Sequence, residues 1–128
     1  MISDAIKQAR KLHRETLEQT YDGVCNIYGM QPVKDQKTKV TRQEEFMIKE
    51  KVPCHLSFSG ASPASESETE TTVPQTIKLF LAPELVIQPG SRIEVTQQGS
   101  TESYDQSGKA AVYYSHQEIM LELWKGYA

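Results

Sequence analysis

Two cysteines and three histidines are the residues in this sequence whose chemistry best suits metal binding or nucleophilic catalysis: Cys25, Cys54, His13, His55 and His116. A zinc site would combine such thiolate and imidazole ligands. The spacing argues against one, because the adjacent Cys54 and His55 point to opposite faces of a strand and no Cys-x-x-Cys pair is present. Both cysteines lie in apolar, strand-like surroundings, so we interpret them as reduced core thiols and predict neither a metal nor a cofactor.

Serine nucleophiles and phosphate-binding loops lack their usual signatures. The strand and turn serines have no Gly-x-Ser-x-Gly context; they are Ser57, Ser59, Ser91 and Ser115. Neither a Gly-x-x-x-x-Gly-Lys loop nor a Gly-x-Gly-x-x-Gly motif occurs. We therefore expect that the protein is not an enzyme.

A polar acidic run covers residues 60–72 and reads Gly-Ala-Ser-Pro-Ala-Ser-Glu-Ser-Glu-Thr-Glu-Thr-Thr. It has no Lys, Arg or large apolar side chain, so it cannot contribute to a core. Loops longer than about 12–15 residues without secondary structure are uncommon in compact domains and are usually functional or disordered. We predict a mobile functional loop over 60–74 with the candidate residues Glu66, Ser67, Glu68, Thr69 and Glu70.

A basic cluster lies in a second polar connection, predicted over residues 29–42, and consists of Lys34, Lys37, Lys39 and Arg42. These side chains are candidates for contact with an acidic partner surface or with nucleic acid. Single-stranded nucleic acid also requires aromatic stacking platforms, and only Tyr28 and Phe46 flank the cluster. The net charge of −3 disfavours non-specific nucleic-acid binding.

Length and composition predict one domain over residues 1–128. No run of about 18 or more apolar residues is present, so we predict no membrane span. No charged-then-apolar leader precedes the first strand, so we expect a product that is not secreted by a signal peptide.

The elements that would position these residues follow from hydrophobic periodicity. Residues 3–19 have the spacing of a helix with Ser3 or Asp4 as N-cap and one buried stripe: Ile2, Ala5, Ile6, Ala9, Leu12, Thr16 and Leu17. Alternation predicts strands over 21–28, 45–59, 76–81 and 91–97, with a bend at Lys49-Glu50-Lys51 and an edge or bulge position at Pro53. A loop is predicted over 98–109, before the apolar segment 110–114.

The last segment, 116–124, fits either a strand or a helix. We favour a strand with Ile119, Leu121 and Leu123 on one face, opposite Gln117, Glu122 and Trp124. Short strands separated by frequent turns predict a mainly β fold, a small antiparallel barrel or sandwich over 21–128, preceded by a helix within 1–20.

The sequence after Tyr21 resembles the head-closure, or stopper, proteins of the head-to-tail connector in long-tailed phages and defective prophages. The residues that carry the resemblance are Val52-Pro53-Cys54-His55-Leu56-Ser57, Lys78-Leu79-Phe80-Leu81-Ala82-Pro83-Glu84, Pro89-Gly90-Ser91, Ile93-Glu94-Val95-Thr96 and Tyr114-Ser115-His116-Gln117-Glu118. An adjacent tail-terminator role is not separated from this one by residues alone.

The resemblance implies a small β-barrel subunit, monomeric or weakly associated when free, that forms a ring below the portal and its adaptor and joins the tail. Packaged double-stranded DNA would pass through the ring, and the loop after the second strand, here 60–74, would project into that channel. The implied location is the virion neck, or the host bacterial cytoplasm during assembly. The alternative function is a barrel module that binds single-stranded nucleic acid through 34–42.

Overall fold

The computed structural model describes residues 3–60 and 75–127, and within these ranges one helix precedes seven strands. In chain order the elements are α1 (Asp4–Glu18), β1 (Gly23–Lys34), β2 (Thr41–Ser59), β3 (Thr76–Leu81), β4 (Arg92–Gln97), β5 (Ser100–Gln106), β6 (Ala111–Val112) and β7 (Gln117–Leu123). The predicted mainly β class with an N-terminal helix is confirmed.

All seven strands belong to one sheet with the order β3-β2-β1-β4-β5-β7-β6. A further pairing of β3 with β7 closes this sheet on itself. Every neighbouring pair is antiparallel. The two-residue strand β6 lies outside the closed part and pairs only with β7. Closure satisfies the backbone groups that an open sheet would leave at its edges.

The core lies inside the closed sheet and is formed by alternate residues of its strands. Its buried members are Cys25, Ile27, Val52, Cys54, Leu56, Leu79, Leu81, Ile87, Ile93, Val95, Tyr104, Ile119 and Leu121. The alternation that predicts β2 and β4 places Val52, Cys54, Leu56, Ile93 and Val95 in the core, as expected, but Phe58, which continues the same alternation on β2, is 51% exposed.

The predicted bend in β2 is a β-bulge. The register between β1 and β2 shifts after the pair Cys25 and Val52, and the next pair joins Ile27 to Lys49. Lys51 has a positive φ of 54° within the bulge, and its N–H donates to the Asn26 side chain at 2.9 Å. Pairing of β2 with β3 begins just beyond, at Cys54. Pro53 thus lies beside the bulge, where the ladder does not need its missing N–H.

The prediction of a polar connection over 29–42 is wrong. β1 continues to Lys34 and β2 begins at Thr41, so only 35–40 form the turn. The strand pairs of this region, such as Pro32 with Gln43, are regular although the side chains are mostly exposed. No core contact supports most of this ribbon, so the apolar alternation that marks a half-buried strand is missing from it.

The prediction of a loop over 98–109 is also wrong, because β5 lies within it. Gln98 and Gly99 have φ values of 55° and 77° and form a two-residue hairpin turn between β4 and β5. Only Tyr104 among the β5 residues is buried. A single buried residue gives too little alternation to indicate a strand.

The helix is confirmed, but its predicted buried stripe is wrong for the residues described. Ser3 is the N-cap and accepts a hydrogen bond from the Ile6 N–H. No residue of α1 is buried, and Ile6 and Leu12 are 49% and 65% exposed. The helix contacts the turn after β3 through a charged residue instead, where Arg14 makes a bidentate ion pair with Glu84 at 2.7 and 2.8 Å.

The strand interpretation of the last element is confirmed, with a corrected face. Gln117 is buried on the same face as Ile119 and Leu121, whereas Leu123 is 57% exposed. The Gln117 amide donates to the carbonyls of Ala82 and Leu85. A buried amide is stable here because both of its N–H groups have acceptors.

Candidate interaction site

The predicted channel-loop residues Glu66, Ser67, Glu68, Thr69 and Glu70 lie outside the described residues. Their role stays a prediction. The described residues place the other predicted cluster, the basic one, on a projecting hairpin.

The outer parts of β1 and β2 form a two-stranded arm, defined here as residues 29–46. β1 pairs with β4 only as far as Tyr28, opposite Arg92, so Gly29–Lys34 pair with β2 alone. Six residue pairs at about 3.4 Å each extend roughly 20 Å beyond the closed sheet. The arm thus projects beyond the core strands along its own sheet.

A compact turn at the end of the arm presents the basic cluster. The Asp35 carboxylate accepts from the N–H groups of Lys37 and Thr38 at 2.8 and 3.2 Å. The Asp35 carbonyl accepts from the N–H of Lys39, whose φ is 63°. These bonds form an Asx turn that orders the tip without any core contact.

The four predicted basic residues are not equivalent. Lys34, Lys37 and Lys39 lie at the tip, whereas Arg42 pairs with Glu44 along the same strand at 2.6 Å. This pair is largely exposed and therefore contributes little stability. The tip thus offers three lysine ammonium groups, and none of them has an ion-pair partner within the described residues.

The root of the arm is fixed by an ion pair across two strands. Arg92 makes a bidentate contact with Glu45 at 2.8 and 2.9 Å, and its guanidinium lies 4.2 Å from the centroid of the Tyr28 ring. The Tyr127 hydroxyl donates to the same carboxylate at 2.5 Å. Arg92, followed by Tyr127, holds the pKa of Glu45 below its usual range. Burial and the Glu45 carboxylate raise the pKa of Tyr127 to about 12.

Both aromatic side chains that flank the basic cluster pack against other residues at this root. Tyr28 stacks on Arg92, and Phe46 lies over Gly29, where an added Cβ would come within 3.4 Å of its ring. The same Cβ would approach the Ile48 side chain to 2.9 Å. The structure therefore does not bring Tyr28 and Phe46 to the tip lysines.

A row of rings that the sequence analysis did not identify crosses the outer face of the sheet. Phe80 lies between His55 and His116 with centroid separations of 6.2 and 5.8 Å, and Tyr113 stacks on His116 at 4.9 Å. Their spacing along the chain gives no signal, because the strands that carry them are paired only in the folded sheet.

Ser115, His116 and Glu118 form a hydrogen-bonded chain within this row. The Ser115 hydroxyl lies 3.0 Å from His116 Nδ1, and His116 Nε2 lies 2.8 Å from the Glu118 carboxylate. Hydrogen bonds from His116 and Lys78 lower the pKa of Glu118. Ser115 is only 2% exposed, so its hydroxyl cannot reach a substrate carbonyl without a rearrangement.

The two cysteines are buried, free thiols of the core. Hydrogen bonding between Cys25 and Cys54, together with burial, raises the pKa of Cys25. A raised pKa disfavours the thiolate, which is the reactive and metal-binding form. Within residues 3–60 and 75–127, no group of three or more His, Cys, Asp or Glu side chains could hold a metal ion. No helix in the described part of the chain is long and apolar enough to cross a membrane.

Comparisons with known proteins add one structural similarity. No protein-family model and no curated protein matches the chain. Among solved structures the chain is similar to the phage-like element PBSX protein xkdH from Bacillus subtilis, at 12% sequence identity and a TM-score of 0.46. The match covers 78% of this chain and 91% of that one. None of these comparisons names a head-closure family.

Proposed function

We propose that this chain is a structural subunit of a phage or prophage head-to-tail connector. Copies of it would form a ring below the portal and adaptor, close the DNA channel and join the tail. The proposal begins from the sequence resemblance to head-closure proteins. The observation that carries it is the arm, which extends about 20 Å beyond the closed sheet and presents a cationic tip.

An extended ribbon of this kind suits contact between subunits better than it suits catalysis. Its side chains are mostly exposed, and its tip and root are ordered by the chain's own hydrogen bonds. A preordered element loses less conformational entropy on binding than a disordered loop does. The proposal therefore assigns the arm to partner contact and includes no catalytic centre.

The test uses purified portal and adaptor complexes from the same phage-like element. Added wild-type protein should co-sediment with them and appear as an extra ring in electron micrographs. Reversing two tip charges with Lys37→Glu and Lys39→Glu should reduce binding, because acidic partner surfaces would then be repelled. Lys109→Glu with Lys125→Glu reverses two exposed lysines outside the arm and serves as the matched control.

Failure of the wild-type protein to bind the portal, the adaptor or any tail component would overturn the proposal. Equal binding by both double variants would overturn the role of the tip. The alternative, single-stranded nucleic-acid binding, predicts a salt-dependent affinity for oligonucleotides that Lys37→Glu with Lys39→Glu abolishes, because phosphate contacts release counterions.

A further inference from the structure

The arm leaves one edge of β2 without a strand partner among the described residues. On its inner side β2 pairs with β1 from Thr41 to Cys54, but β3 pairs with it only from Cys54 to Ser59. We define residues 40–46 as the free edge. An exposed edge of this length presents backbone N–H and C=O groups that a further strand can bind.

The hydrogen-bonding phase of the ribbon determines which groups point outward. The Asp35 N–H donates to the Val40 carbonyl at 2.9 Å, which makes this a hydrogen-bonded pair. Such pairs alternate with non-bonded ones along an antiparallel ladder. Pro32, opposite Gln43, has no N–H and fits the non-bonded class. The residues that direct both backbone groups to the free edge are therefore Thr41, Gln43 and Glu45.

The opposite edge of the arm is less suited to strand addition. There the outward-directed residues of β1 include Pro32 near the middle of the ribbon. Its missing N–H removes a donor that an added strand would need, which is a common protection of exposed edges. The free edge of β2 has no proline between residues 40 and 46.

The side chains of the free edge are self-complementary in one antiparallel register. When two copies pair about Gln43, Arg42 of each lies directly opposite Glu44 of the other, and Val40 lies opposite Phe46. A shift of the centre to Arg42 or to Glu44 would place like charges directly opposite each other, which is destabilising. Charge complementarity thus selects a second copy of this chain as the occupant and fixes its register.

We propose that the free protein forms a two-fold symmetric dimer in which the free edges of two arms pair antiparallel about Gln43. The contact would add about six backbone hydrogen bonds and two cross-strand ion pairs. Arg42 and Glu44 already pair within one chain, but their side chains are 65% and 41% exposed, respectively. Exchanging this pair for the same pair between two chains therefore costs little free energy. So short an edge buries less than the ~1,200 Å² of a standard interface, which makes the dimer weak and concentration-dependent.

This dimer goes beyond the connector proposal. A two-fold contact uses the same surface on both copies and closes with two, whereas a ring needs a head-to-tail contact. Edge pairing of free arms would therefore compete with ring assembly. The portal-binding assay tests the connector proposal separately, so loss of the dimer alone would leave that proposal in place.

The experiment is sedimentation velocity of the full chain over about 10 µM to 1 mM, since a contact of this size is expected to be weak. The dimer fraction should rise with concentration for the wild type. Gln43→Pro removes an outward donor and should abolish the dimer. It leaves the pairing with β1 intact, because Gln43 does not donate to that strand. Arg42→Glu alone should raise the dimer Kd by about tenfold or more.

The charge swap keeps the test decisive if Gln43→Pro disturbs folding. Arg42→Glu combined with Glu44→Arg restores opposite charges in the same register and should recover wild-type association. Circular dichroism confirms that each variant is folded. A wild type that stays monomeric up to about 1 mM, the weak end of the affinity scale, would overturn the proposal. So would a dimer that folded Gln43→Pro retains, or one that the charge swap fails to restore.

Discussion

The buried amide of Gln117 leads to a prediction whose size follows from the structure. Gln117 is 3% exposed, and its Nε2 donates to the carbonyls of Ala82 and Leu85 at 2.7 and 2.5 Å. Gln117→Leu keeps a similar volume but removes both donors. A buried acceptor without its partner costs about 1–3 kcal/mol. Both carbonyls belong to half-buried residues that water partly reaches, so we expect a loss of about 2–4 kcal/mol in total.

Gln106→Leu is the matched control. Its Oε1 is buried without a hydrogen-bond partner among the described residues, and its Nε2 donates only to the exposed Gly108 carbonyl. Removing an unpaired buried acceptor costs little. At roughly 3–5 °C per kcal/mol for a chain of this length, Gln117→Leu should lower the Tm by about 6–20 °C and Gln106→Leu by less than about 3 °C. Calorimetry of both variants measures this, and equal decreases would refute the reasoning.

Three further predictions concern the arm and the core. Glu45→Ala should lower the protection of the arm's amides against hydrogen exchange, and the wild-type protection factors, which remove the intrinsic pH dependence of exchange, should fall as pH falls through the lowered folded pKa of Glu45, since its contribution is fully present above the unfolded pKa; equal protection factors for wild type and Glu45→Ala at neutral pH would contradict this. Gly29→Val should lower the free energy of unfolding by about 1–3 kcal/mol, because the valine side chain would displace those of Ile48 and Phe46; an unchanged Tm would show that these two side chains move aside freely. Cys25 and Cys54 should react with a thiol reagent only at the rate of unfolding, and rapid labelling under native conditions would exclude a closed core.

Alternation predicts a strand where one face is buried by many residues. Val52, Cys54 and Leu56 alternate with more exposed residues on β2 and are buried, so the strand over 45–59 was predictable. β5 has Tyr104 as its one buried residue, so it shows no alternation. The tight turn at Gln98-Gly99 was the sequence feature that could have indicated a hairpin between β4 and β5. Gln117 was assigned to the wrong face because polarity indicates exposure, whereas the acceptors that bury it lie more than 30 residues away.

The candidate site, like the fold, was predictable from the sequence only in part. The charges of Lys37 and Lys39 identify a basic tip from sequence alone. The contact between Arg92 and Glu45 joins residues 47 positions apart, and no local pattern specifies that pair. The arm itself has a weak signal in Asp35, a residue that favours Asx turns. A turn at Asp35 would have indicated a hairpin where a long polar connection was predicted.

The stability of the arm differs in kind from that of the sheet from which it extends. Up to Ile27, alternate residues of β1 enter the core, but beyond Gly29 the same strand pairs with β2 alone. Opening the arm therefore exposes little apolar surface, and the energy that resists opening comes from the Arg92 and Glu45 contact and from the Asp35 turn. Pairing of the free edge with another strand would add hydrogen bonds to an element that gains little from the core. Hydrogen bonds and one ion pair, rather than burial, therefore hold the arm in place, and an added strand would extend the same kind of interaction.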